Sequence, residues 1–114
     1  MLSRQAALDY GPDKIRCNVI CPGAIRTEML ENSIGNHLAQ TLNTDVDSAF
    51  KFFAQYAPLR RVAKPEEITG ICCYLASDDS SFMTGAVLVL DGGAAIVDVN
   101  GAAISSAGMR WGNK

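Results

Sequence analysis

The sequence lacks the features by which several specialised classes of protein are recognised. Its 114 residues carry ten basic and twelve acidic side chains, and the only adjacent basic pair is Arg60-Arg61. Because nucleic acids and anionic membranes bind clustered positive charge, neither is an expected partner. No apolar run approaches the ~20 residues that a membrane-spanning helix needs, and the N-terminus has no apolar signal-peptide stretch. The composition is that of a globular domain with one core.

The four cysteines follow no spacing that is typical of a zinc site. Cys72 and Cys73 are adjacent within an apolar segment, and the others are Cys17 and Cys21. We interpret all four as small buried apolar residues with reduced thiols, so no metal site is predicted. Reduced thiols and the lack of a secretion signal predict a cytoplasmic protein. The single histidine, His37, lies in a polar segment and is expected at the surface.

Two short apolar stretches, 15–20 and 86–90, predict the strands of the fold. The second reads AVLVL and is apolar throughout, which is typical of a strand covered on both faces in a parallel sheet. Helices are predicted between the two strands. The chain is therefore predicted to be an α/β protein whose parallel strands are joined by a right-handed crossover.

Three helices are predicted, and turn or capping residues mark their ends. The first, over 2–10, stops at the Gly-Pro turn that follows it. The second begins after Thr44 as its cap and has an apolar face that repeats through residue 54. The third starts at Pro65, ahead of two acids, and ends near Ser77. Between residue 24 and the second helix we predict little regular structure.

Seven short stretches, taken in order, resemble the C-terminal part of the short-chain dehydrogenase/reductase family. The resemblance covers residues 1–93, and several motifs at family-like spacing make it highly specific. The stretches are QAALDYGP (5–12), IRCN (15–18), CPGAIRT (21–27), PLRR (58–61), KPEEI (64–68), LASD (75–78) and the run from TG to DGG (84–93).

This resemblance implies a partial Rossmann-like, doubly wound parallel sheet, of which the chain holds the last two strands with connecting helices and a substrate lid. Residues 1–93 would be the C-terminal part of an NAD(P)-binding domain, with the lid at about 27–60. Residues 94–114 are expected to form a loosely ordered tail. The implied reaction moves hydride between NAD or NADP and a small carbonyl or alcohol substrate.

The resemblance also implies which residues meet the cofactor. In the family, the segment that matches Pro22 to Thr27 lies beside the nicotinamide. The implied cofactor-binding residues are Pro22, Gly23, Ile25 and Thr27; the backbone at Ile25 would meet the carboxamide, and the Thr27 hydroxyl would bond nearby. A carboxamide needs a donor and an acceptor at fixed places, which backbone at the end of a strand supplies. The alternative is that Pro22-Gly23 only turns the chain.

The lid and the subunit contacts are further implications of the resemblance. The aromatic residues Phe50, Phe52, Phe53 and Tyr56 could cover a substrate, although Phe50 and Phe53 could equally pack on the body of the domain. The segments 65–77 and 86–90 match the family's subunit-contact region, so we expect a homo-oligomer formed through them.

The sequence departs from the family pattern where the cofactor phosphates and the catalytic groups are concerned. No glycine-rich phosphate loop occurs in it, and the family's catalytic Ser, Tyr and Lys would precede Met1. Tyr10 and Lys14 have the Tyr-x-x-x-Lys spacing, but Gly11-Pro12 breaks the helix that would bring them to one face. No catalytic residue is therefore assigned.

Three hypotheses about the chain's role follow. The first is a fragment of a reductase that is inactive alone. The second is a non-enzymatic truncated subunit that associates with full-length subunits. The third is a complete small enzyme that uses Tyr10 and Lys14.

Overall fold

The protein has an α/β fold built on two parallel strands. A computed structural model describes residues 1–108. Strand β1, Val19–Pro22, pairs with strand β2, Val87–Leu90, in a register that aligns Val19 with Val87 and Pro22 with Leu90. The parallel pairing predicted from the sequence is confirmed, and β2 lies within one residue of its predicted position.

Six α-helices accompany the two strands in the described part of the chain. None of the helices in residues 1–108 is long and apolar enough to cross a membrane. The predicted helices at 2–10 and 65–77 are confirmed as α1 and α5. The helices are α1 (Leu2–Tyr10), α2 (Glu28–Leu30), α3 (Asn36–Leu42), α4 (Val46–Phe53), α5 (Glu66–Ala76) and α6 (Val99–Ser106).

The tail expected to be loosely ordered contains regular structure where it is described. A 3-10 turn, Ala94–Ile96, precedes α6. Residues 109–114 of the predicted tail lie outside the described residues, so looseness of the tail stays a prediction.

The segment predicted to have little order is helical. A π-helical turn, Glu31–Gly35, joins α2 to α3, so that helical backbone extends from residue 28 to 42. The sequence does not indicate this helical segment, because Asn, Ser and Gly, which have low helix propensity, fall at the π-helical turn. The predicted cap of α4 is also wrong by one residue. Asp45, not Thr44, accepts the backbone N–H of Ser48 at 2.9 Å.

Strand β1 begins at Val19, four residues later than predicted. The side chain of Asn18 replaces a regular ladder there: its Oδ1 accepts from Ala86 N at 3.0 Å, and its Nδ2 donates to Met83 O at 2.9 Å. An amide side chain offers a donor and an acceptor together, so Asn18 joins the segments before β1 and β2 although its backbone is not part of the strand.

The core of the described chain is small, and much apolar surface is uncovered. Buried apolar side chains are four alanines and Phe50, and α5 contains no buried residue. Val87 and Val89 of β2 are 44% and 58% exposed, so the cover predicted for both faces of this strand is not provided by residues 1–108. The prediction of four buried cysteines is wrong, because Cys72 and Cys73 on α5 are exposed and Cys17 and Cys21 are only partly buried; all four thiols are free.

Arg16 connects the start of β1 to the end of α5. Its Nη2 donates to Leu75 O at 2.7 Å and to Ser77 O at 3.4 Å, and its Nη1 donates to Ser80 Oγ at 2.9 Å and to Met83 O at 3.5 Å. Cations are favourable at a helix C-terminus because the terminal carbonyl groups carry partial negative charge. The planar guanidinium thus fixes the helix end relative to the sheet.

We expect Arg16→Met to destabilise the fold by about 2 kcal/mol, because the helix-end carbonyl groups lose charged donors. The measurement is the free energy of unfolding in urea. Arg4→Met is the matched control, since Arg4 is an exposed arginine on α1 with no side-chain partner among residues 1–108. Equal effects of the two substitutions would contradict the role given to Arg16.

Candidate functional site

The carboxyl ends of β1 and β2 are held side by side. Gly23 N donates to Leu90 O at 2.9 Å, just beyond β1. A Cβ atom at Gly23 would stand 2.7 Å from Asp91 Cα, which is closer than real side chains approach backbone, so glycine is required there. In open parallel sheets, ligands bind outside the carboxyl ends of the strands. This edge is the candidate site.

The backbone of Ile25 is fixed in place but has no polar partner. Ile25 forms a parallel bridge with Ala63, in which Arg26 N donates to Ala63 O at 2.8 Å and Ala63 N donates to Ala24 O at 3.0 Å. The N–H and C=O of Ile25 itself face the other way, and no residue of 1–108 bonds to either. A fixed donor beside a fixed acceptor suits a primary carboxamide, so these atoms fit a nicotinamide.

Thr27 combines a structural role with a free donor. Its Oγ1 accepts from Leu30 N at 3.3 Å and so caps α2. A hydroxyl that accepts one bond can still donate its hydrogen, and the exposed Thr27 side chain donates to no residue in the described part of the chain. The residue can therefore meet a ligand without losing the cap.

Pro22 lies at the end of β1 with its ring nitrogen directed away from β2. The register aligns Pro22 with Leu90, whose carbonyl accepts from Gly23 instead. A proline on the unpaired side of a strand costs no ladder hydrogen bond. Pro22 and Gly23 thus shape the turn, and the structure brings Pro22, Gly23, Ile25 and Thr27 together at one strand end.

Arg26, between Ile25 and Thr27, carries a side-chain network that the sequence analysis missed. Its Nε lies 2.6 Å from Glu31 Oε1, and its Nη1 lies 2.7 Å from Asp47 Oδ1. Hydrogen bonds first to Glu31 and then to Asp47 raise the pKa of Arg26. The sequence contained no signal for the contact between Arg26 and Asp47, because an acid in the first turn of α4 indicates only a favourable charge at the start of a helix.

A cavity of about 630 Å³ lies at the carboxyl ends of both strands. Ala24, Leu90 and Asp91 form its wall on the sheet side, and Phe53 and Tyr56 from the end of the lid segment face them. Of the predicted turn, only Ala24 lines the cavity. The candidate site therefore has two parts: the backbone turn at 22–27 and a mainly apolar cavity.

The aromatic residues of the lid were predicted either to cover a substrate or to pack on the body of the domain, and they differ in their surroundings. Phe50 is 4% exposed and packs inside the lid, whereas Phe53 is 42% exposed and lines the cavity with Tyr56. Phe52 is exposed and does not line the cavity.

Three charged side chains at the cavity wall, Arg61, Glu67 and Asp91, are hydrogen-bonded to other groups of the chain. Arg61 holds Glu67 through two bonds of 2.7 and 2.6 Å, and Lys64 N donates to Glu67 Oε2 at 2.8 Å. The bonds from Arg61, followed by that from Lys64 N, lower the pKa of Glu67 to about 2. Asp91 accepts from Ala95 N and Gly93 N, and these bonds lower its pKa. Residues 1–108 contain no cluster of three or more His, Cys, Asp or Glu side chains placed to hold a metal ion.

Comparisons with known proteins identify the family to which this fold belongs. A family model described as enoyl-(acyl carrier protein) reductase matches residues 1–95. A solved short chain dehydrogenase family protein from Francisella tularensis shares 36% identity and a TM-score of 0.76, over 83% of this chain and 39% of its own. The chain belongs to the short-chain dehydrogenase/reductase family. The C-terminal resemblance found in the sequence is confirmed.

Two further similar proteins match most of this chain. Protein MoaE of Klebsiella aerogenes is 43% identical over 98 residues, which are 86% of this chain and 38% of that protein. L-sorbose reductase from Gluconobacter frateurii, solved with NADPH and L-sorbose, shares 30% identity and a TM-score of 0.74 over 82% of this chain and 35% of its own. The chain therefore spans little more than a third of the length of these relatives.

Tyr10 and Lys14 of this short-chain dehydrogenase/reductase chain do not share a helical face. Tyr10 is the last residue of α1, a 3-10 turn Gly11–Asp13 follows, and Lys14 has a left-handed backbone with φ of 62°. The helix break predicted at the Gly-Pro turn is therefore present.

We expect Glu67→Gln to remove a pH-dependent contribution to stability. Because the pKa of Glu67 is lowered from 4.5 to about 2, its contribution is complete above pH 4.5 and is lost as the pH falls towards 2. The difference in melting temperature between wild type and variant should therefore shrink across this range.

The matched control is Glu66→Gln, which removes the neighbouring acid of α5. No residue among 1–108 bonds to the Glu66 side chain. A wild-type advantage over Glu67→Gln that stays constant from pH 5 to pH 2 would show that the ion pair does not act as described.

Proposed function

We propose that the chain supplies the nicotinamide side of an NAD(P)-dependent oxidoreductase acting on a small carbonyl or alcohol. The observation that carries this proposal is the backbone of Ile25, whose N–H and C=O are fixed by the bridge to Ala63 and have no partner in residues 1–108. The L-sorbose reductase relative, solved with NADPH, supports it. When bound, the cofactor would supply the hydride chemistry.

Each residue of the turn has a role in this proposal. Ile25 N–H donates to the carboxamide oxygen, and Ile25 C=O accepts from the carboxamide nitrogen. The Thr27 hydroxyl donates nearby while it continues to cap α2. Gly23 lets the turn approach Asp91, and Pro22 directs it away from the sheet. Because these groups are held before binding, little reorganisation accompanies it.

The segment at about 27–60 would act as the substrate lid. Phe53 and Tyr56 support this role, since their side chains line the mainly apolar cavity. Cavities of several hundred cubic ångströms with mostly apolar walls are typical of small-molecule sites. In the whole protein the cavity would hold the substrate beside the turn.

The same proposal leaves proton transfer and phosphate binding to other parts of a complete enzyme. The sequence has no glycine-rich phosphate loop, and Tyr10 and Lys14 are on different turns of backbone. A lysine lowers the pKa of a tyrosine and positions a ribose only when both face the same way. We therefore assign no catalytic residue to this chain.

We expect the isolated 114-residue chain to show no turnover and no saturable binding of NADH or NADPH in a fluorescence titration. The physical reason is that phosphate contacts and acid–base groups are not supplied by it. Micromolar affinity for either cofactor would contradict the expectation. Turnover that Tyr10→Phe abolishes would support the alternative of a complete small enzyme.

A second candidate function is a non-enzymatic subunit that associates with copies of itself or with longer relatives. The observation that favours it is the uncovered surface of α5 and β2. No residue of α5 is buried, Gly70 faces open space, and Val87 and Val89 are exposed. Exposed apolar surface of this kind marks association sites. We propose that 65–77 and 86–90 form a homo-oligomer interface.

We expect this interface to be detectable by concentration-dependent assembly and by protection of Cys72 and Cys73 from alkylation. Gly70→Arg should disrupt both, because a long charged side chain fits the open space of one chain but blocks a second. Gln40→Arg, on the exposed surface of α3, is the matched control. Monodisperse monomer at every concentration in size-exclusion chromatography, with unprotected thiols, would contradict the interface.

A further inference from the structure

The ring of Phe50 is enclosed between two parts of the lid and the turn. The guanidinium of Arg26 lies over the ring, with its carbon 5.3 Å from the ring centroid. On the helical side, a Cβ atom at Gly35 would be only 2.8 Å from Phe50 Cζ, so the ring packs directly against backbone. Phe50 is 4% exposed as a result.

The two acids that hold Arg26 come from different elements of the lid. Glu31 lies at the start of the π-helical turn, and Asp47 lies in the first turn of α4. A π-turn inserts one extra residue into a helix and shifts the faces that follow. The same turn places Glu31 against Arg26 and Gly35 against Phe50.

Arg26 is also held through its backbone. Its N–H donates to Ala63 O at 2.8 Å, in the bridge that fixes Ile25. Arg26 therefore connects the Ile25–Ala63 bridge, the π-helical turn and α4. Arg26 stands between Ile25 and Thr27, so its backbone belongs to the turn while its side chain binds the lid.

We propose that Arg26 is a positioning residue that fastens the lid, α2 to α4, to the turn that presents Ile25 and Thr27. Its effect on cofactor contacts rests on the proposed function, whereas its effect on the lid does not. The side chains of Arg26 and Glu31 are each more than a third exposed, and that of Asp47 is 66% exposed. Such pairs are weak and sensitive to salt, so the contact between the lid and the turn should loosen as the ionic strength rises.

The test is amide hydrogen exchange of the 114-residue chain without cofactor, comparing α4 with α5 as the internal reference. We expect Arg26→Gln to accelerate exchange in α4 about fivefold, as for contacting residues with modest coupling, and to leave α5 unchanged. Added salt should reproduce part of this effect in wild type. Lys51→Gln, which removes a positive charge from α4 without a bonded partner in residues 1–108, is the matched control.

A double-mutant cycle separates positioning from general destabilisation. If Arg26 acts through Asp47, the double variant Arg26→Gln with Asp47→Asn should accelerate exchange in α4 by less than the product of the two single effects, even though Asp47 also stabilises the start of the helix. Arg26→Lys, which keeps the charge but not the fork, should fall between wild type and Arg26→Gln.

Three outcomes would overturn the proposal: additive effects of the two substitutions, equal acceleration in α4 and α5, or a change with Lys51→Gln as large as that with Arg26→Gln. Because cofactor is not used, these outcomes leave the proposed nicotinamide contact standing. Conversely, failure of the turn to bind cofactor in a complete enzyme would leave the lid fastening intact.

Discussion

The parallel pairing of β1 with β2 is the constraint on which the rest of the structure depends. It joins the beginning and the end of the family-matched region and sets their carboxyl ends side by side. Glycine at position 23 makes this possible, since any side chain there would meet the backbone of Asp91. The turn at Ile25, the start of the lid and the wall of the cavity all follow from that one edge.

The sequence predicted the elements whose signals are local and left out those that depend on distant contacts. The apolar run of β2, the Gly-Pro turn after α1 and the proline and acids before α5 each identify an element by residues within it. The residues of the π-helical turn do not identify it, because Asn, Ser and Gly are poor helix formers. The turn is stabilised instead by contacts with Phe50 and Arg26, which lie elsewhere in the sequence. The candidate turn was inferred from the resemblance of the contiguous stretch 21–27 to the family, and not from local structure signals.

The features that were not predicted share a physical cause. The contact of Arg26 with Asp47 joins residues that are 21 positions apart in the chain, and no periodicity of the sequence indicates such a pair. The exposure of Cys72, Cys73 and Val89 could not be read from the sequence either, because an apolar pattern indicates that a surface is to be covered and not what covers it. The uncovered surface and the short match to relatives are consistent with each other.

The proline that ends β1 has a consequence for the unpaired edge of the sheet. Bare strand edges recruit other strands and so invite aggregation. Pro22 has no N–H to offer an incoming strand at the edge of β1 that carries no partner among residues 1–108. An extra strand could not complete a regular hydrogen-bonded ladder beside Pro22, so the proline limits unwanted growth of the sheet next to the candidate turn.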